Sequence, residues 1–124
     1  IPFYPKEVCE LRKKTEIIFV GSDMFALRYY LPVYTKKGIE HFIIINTDKT
    51  RTKIELIKFF LHELAHCTQV ANTLGVDEKL EDFMKKTVKR ENEVEELRTK
   101  WYNEYAKNKL LYFKKTGIWV KPQI

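Results

Sequence analysis

At 124 residues the chain is long enough for one domain (1–124) and too short for two, and folding would bury about two thirds of its surface, enough for a core without disulfide or metal staples. Apolar residues make up 44% and aromatics 14% against 4 Gly and 4 Pro, which excludes disordered, collagen-like and low-complexity classes, and the longest apolar runs, such as Phe42 to Ile45, fall far short of the ~20 residues of a membrane span. The net charge of +6 permits a salt-sensitive affinity for nucleic acid, but the bases alternate with acids, as at Lys85, Lys86, Lys89, Arg90, Glu91 and Glu93, and a solvated face is the better reading.

In chain order, Pro5 suits the first turn of a short helix over 6–14, with Val8, Cys9 and Leu11 on its apolar side. Glu16 to Val20 is β-branched and aromatic and ends at Gly21-Ser22-Asp23, the pattern of a short strand. Phe25 to Thr35 and Ile39 to Thr47 flank Lys36-Lys37-Gly38 and read as a hairpin, and Pro32, which cannot donate to a ladder, makes the first of these strands an edge or bulges it there. Everything beyond Thr47 reads as helical. Thr52-Lys53-Ile54-Glu55 fits a capping box, and a stripe through Ile54, Ile57, Phe60, Leu61, Leu64, Ala65, Cys67, Thr68 and Ala71 runs on to a helix end at Leu74-Gly75. Asp77 can cap a further helix carrying Leu80, Phe83, Met84 and Val88. A last stripe, Val94, Leu97, Trp101 and Tyr105, follows a polar interval at 89–93 where a bend is expected. Thr116 to Val120 is expected as a final strand or an arm. The expected fold is therefore α+β: a small, mostly antiparallel sheet packed on the helix that begins at Thr52, with further helices after it.

That helix carries His62-Glu63-Leu64-Ala65-His66, an HExxH. Residues four apart share a helix face, so both imidazoles can reach one metal ion, and Glu63 can take the proton of a water that such an ion activates. A catalytic zinc needs a third protein ligand. The only other histidine, His41, lies upstream in a strand and reads as a half-exposed strand residue. No His follows His66, which leaves Asp77, Glu78, Glu81, Asp82, Glu91, Glu93, Glu95, Glu96 and Glu104. Counting back from Val94, Leu97, Trp101 and Tyr105 puts residue 91 on the inward face, where a carboxylate is costly unless paired or metal-bound. Glu91 leads as third ligand, with Glu95 behind it. One turn from Glu91, Glu95 is also placed to accept a hydrogen bond from a ligand imidazole. Cys9 and Cys67 lack paired metal spacing. They read as reduced packing thiols in a reducing compartment, with a single disulfide as the alternative.

HExxH followed about 25 residues later by Glu91-Asn92-Glu93-Val94-Glu95 resembles the gluzincin metallopeptidases, and the short chain, the strand text Phe42-Ile43-Ile44-Ile45-Asn46 and the approach Phe59-Phe60-Leu61 to the motif are most similar to the small ImmA/IrrE-like minigluzincins. The resemblance covers roughly residues 39 to 98. Ala65 stands where the family usually has Gly, and Val94 where it usually has Ala. It implies a zincin-like fold, one Zn²⁺ held by His62, His66 and Glu91, Glu63 as general base, and hydrolysis of a peptide bond in a specific protein substrate inside the cell. The expected setting is the cytoplasm (or a host-cell interior for a viral protein), with no membrane partner. An oxyanion donor is also expected; seven tyrosines and His41 are candidates. The rival readings are a non-catalytic metal-binding or protein-interaction domain, and a nucleic-acid-associated factor of a mobile element or virus.

Overall fold

A computed structural model describes residues 3–21, 28–48, 52–69, 80–122 and 124, with the backbone alone at 28, 29, 34 and 80–84. The described elements run in the order α1 (Lys6–Lys13), β1 (Thr15–Val20), β2 (Arg28–Thr35), β3 (Gly38–Asn46), α2 (Lys53–Cys67) and α3 (Leu80–Thr116). The α+β class holds.

The sheet is mixed rather than mostly antiparallel. Its order is β1-β3-β2, with β3 parallel to β1 (Ile17 opposite Ile43) and antiparallel to β2 (Tyr30 opposite Ile43). The hairpin signal at Lys36-Lys37-Gly38 sets the β2–β3 pairing, and Gly38 takes the positive φ of 123° that the tight turn needs. Nothing in an alternating pattern states on which side of the hairpin β1 docks, or in which direction. The strand β3 takes the centre, burying Ile43 and Ile45 completely. Pro32 does lie on an edge, since among the described residues β2 pairs with β3 alone.

Below the sheet, α2 buries Ile57, Phe60, Leu61, Leu64 and Ala65, and α3 closes the core with Val94, Trp101 and Tyr105. Ile54, counted on the apolar stripe, is exposed instead, at the first turn of α2. Amino-terminal residues tie the helices together. Val8 of α1 is fully buried, Tyr4 stacks on Tyr105 at 4.4 Å between ring centroids, and Trp101 Nε1 donates to Glu7 at 2.6 Å.

Two boundaries differ from expectation. The helix α2 ends at Cys67, short of Leu74-Gly75, because Thr68 turns its hydroxyl back onto the Ala65 carbonyl at 2.7 Å and the Thr68 and Gln69 amides tighten onto Ala65 and His66. Gly75 and Asp77 lie outside the described residues. No bend interrupts 88–94: α3 is a single helix of 37 residues, because Lys, Arg and Glu are strong helix formers and the interval turns Lys89, Asn92 and Glu93 to solvent while Glu91 faces α2. At its end Gly117, at φ 73°, takes the left-handed cap and its amide reaches Phe113 O at 2.7 Å. Beyond it 118–122 form an arm rather than a strand, with Trp119 against Phe113.

Candidate metal centre

The site grows from the start of α2. The Thr52 side chain accepts from the Glu55 amide at 3.1 Å and the Glu55 carboxylate accepts from the Thr52 amide at 3.2 Å, the reciprocal capping box the spacing predicts. From this fixed start the helix turns Leu61 and Leu64 into the core and sets His62 and His66 on one face, ring centroids 5.1 Å apart. His62 and Glu63 are buried and His66 is partly so.

Glu91 of α3 arrives between the two rings. Its Oε2 lies 3.4 Å from His62 Nε2 and its Oε1 3.3 Å from His66 Nε2. The two contacts use different oxygens of the one carboxylate, which thus reaches both rings at once. The three donor atoms lie within 4.8 Å of one another and could hold a metal. The Glu91 side chain is half exposed, so the direction read from the apolar stripe is right but the desolvation argument for it does not apply. It sits at the mouth of the core rather than inside it.

Each imidazole is held from behind. His62 Nδ1 meets Glu95 Oε1 at 2.6 Å, and a carboxylate only accepts, so the ring donates from Nδ1 and turns Nε2 toward Glu91. Glu95 is gripped in turn by Arg98, whose Nε and Nη2 lie 3.0 and 2.9 Å from Oε2. Burial opposes charge on the Glu95 carboxyl, but hydrogen bonds and charge from Arg98 and His62 outweigh it and hold its pKa below the usual glutamate value. His66 Nδ1 faces Gln69 Oε1 at 3.2 Å. Sequence reasoning missed both supports, Arg98 and Gln69. The available signal was their i+3 spacing from Glu95 and His66.

Glu63 is 6% exposed and its Oε1 stands 4.0 Å from His62 Nε2, on the same side as the converging donors. A buried carboxylate beside a set of metal-ligand atoms is the arrangement a general base requires.

The remaining candidates lie elsewhere. His41 is partly buried on β3, bonded through Nδ1 to the Tyr30 hydroxyl and stacked on that ring, and is not in the cluster. Burial, with Lys14 nearby, lowers its pKa. Glu93 and Glu96 line a groove with Ala65, Thr68, Val94, Leu97 and Lys100. Glu104 borders Pro5, Lys6 and Glu10. Asp77 and Glu78, and the side chains of Glu81 and Asp82, lie outside the described residues. Neither cysteine forms a disulfide. Burial pushes the Cys67 thiol up to about 11 against the hydrogen bonds of Thr15 and Tyr30, so it packs as a neutral group. Among the described residues no helix is long and apolar enough to cross a membrane.

Compared with protein-family models, curated proteins and solved structures, the chain matches none.

Proposed function

We propose that the protein is a zinc-dependent metallopeptidase of gluzincin type. The observation that carries this reading is the meeting of His62 Nε2, His66 Nε2 and the Glu91 carboxylate at 3.3–3.4 Å, with buried Glu63 beside them. The resemblance of 39–98 to small gluzincins supports it independently of the geometry. Two imidazoles and one carboxylate form the ligand set of a catalytic zinc, which leaves a fourth position open; a purely structural site would be closed by a fourth protein ligand and would have no use for Glu63.

When bound, Zn²⁺ supplies the Lewis acidity that makes water nucleophilic near neutral pH and polarises a scissile carbonyl. The chain's own residues do the rest. Glu63 accepts the proton of the attacking water as the new C–O bond forms, and passes it to the amide nitrogen as the C–N bond breaks. Glu95 and Gln69 keep the two Nε2 lone pairs turned inward. An extended peptide would bind by strand addition along β2, which among the described residues pairs with β3 alone, beside α2. By the same resemblance the substrate is one specific intracellular protein.

The test is Glu63→Gln, which keeps shape and removes the base. Zinc content and melting should match wild type while cleavage of the physiological substrate falls by about 10² or more. Equal cleavage by both proteins would overturn the mechanism, and tight substrate binding without cleavage by wild type would make the domain a non-catalytic interaction module.

A further inference from the structure

The end of α2 does more than stop the helix. Gln69 is the last described residue before α3 begins at Leu80, and its side chain bridges the two ligand-bearing helices. Its Nε2 donates to the Arg90 carbonyl at 3.0 Å, and its Oε1 lies 3.2 Å from His66 Nδ1. The orientation of the amide follows from chemistry. A backbone carbonyl can only accept, so the NH₂ must face Arg90 and the oxygen must face the imidazole. That oxygen can only accept as well, so His66 donates from Nδ1 and presents Nε2 to Glu91 Oε1, 3.3 Å away.

The second contact matters as much as the first. Arg90 is the residue before Glu91, and it lies 21 positions from Gln69 along the chain. One amide therefore fixes both the ring of the second histidine and the stretch of α3 that delivers the third carboxylate. Gln69 is itself anchored, its backbone amide bonding to His66 O at 3.1 Å. His62 has a different support, a side-chain carboxylate on α3 held by arginine.

We propose that Gln69 is a two-sided positioning residue of the metal centre, setting the tautomer of His66 and the distance of Glu91 from it through one side-chain amide. The inference rests on the metallopeptidase reading for its purpose, but the clamp itself exists with or without an ion.

The experiment has a metal-free and a metal-bound arm. In metal-free protein, a side-chain amide proton of Gln69 should exchange with solvent at least about tenfold more slowly than those of exposed Asn103. Exchange as fast as Asn103 would overturn the clamp. In competition titrations with a chromophoric chelator, Gln69→Met, which offers no donor and at most a weak acceptor, should bind Zn²⁺ about 10–100-fold more weakly than wild type. The zinc-loaded wild type should show protected Nδ1 proton resonances for both His62 and His66, and Gln69→Met should lose only that of His66. Unaltered zinc affinity with a lowered melting temperature would reduce Gln69 to a structural tie and overturn the proposal. Wild type binding no zinc would sink the metallopeptidase reading instead, and the amide exchange would still decide the clamp.

Discussion

Glu95 grips the back of the His62 ring, with Oε1 2.6 Å from Nδ1, while Glu91, one helical turn earlier, faces the front of the same ring at 3.4 Å from Nε2. Two glutamates four apart on α3 thus meet opposite edges of one imidazole from α2. The spacing divides their work: Glu91 also touches His66 and completes the donor set, whereas Glu95 turns away toward Arg98 and only orients.

This division predicts a graded series for the third ligand. Glu91→Ala should abolish tight zinc binding, Glu95→Ala should weaken it about 10–100-fold, and Glu93→Ala, whose carboxylate is not among the donors, should leave it unchanged. Chelator competition on the purified variants reads all three. Zinc lost from Glu95→Ala but retained by Glu91→Ala would exchange the two roles.

Much of this was legible because helical phase carries far along a chain. The stripe Val94, Leu97, Trp101 and Tyr105 points residue 91 toward α2, and the structure buries Val94, Trp101 and Tyr105 while bringing Glu91 to both histidines. Glu95 as the acceptor for a ligand imidazole followed from the same count, and the structure gives His62 as that ring. Gln69 was harder to read, because its i+3 spacing from His66 was the one signal and Ala71 and Leu74, which continue the α2 pattern, hid the turn at Thr68. The parallel docking of β1 was illegible for a more general reason: alternation tells which face of a strand is buried, and pairing partner and direction are settled by tertiary contacts.

The start of α2 gives a stability prediction remote from the chemistry. Thr52→Ala removes one bond of the capping box, and should cost about 1 kcal/mol in chemical denaturation without changing zinc stoichiometry. A neutral result would mean that packing of Ile57, Phe60 and Leu61 alone holds the first turns.

The amino-terminal clamp predicts an alkaline limit. Burial first, and then the neighbouring Tyr105, raise the Tyr4 pKa above the ordinary value of 10.0, since the pocket disfavours the phenolate. A raised folded pKa contributes stability that is fully present below the unfolded value and is lost as pH climbs through the folded one. Stability should therefore fall above about pH 10. Tyr4→Phe should flatten that decline, as read by denaturation at stepped pH, and an equally steep decline in the variant would assign it to other groups.

Metal analysis of the purified protein bears most directly on the central claim. The account predicts about one equivalent of Zn²⁺ per wild-type chain, retained by His41→Ala, whose ring is engaged with Tyr30, and absent from His62→Ala and His66→Ala. Stoichiometric zinc surviving the loss of both helix histidines, or a wild-type chain that takes up none from zinc-replete buffer, would contradict it.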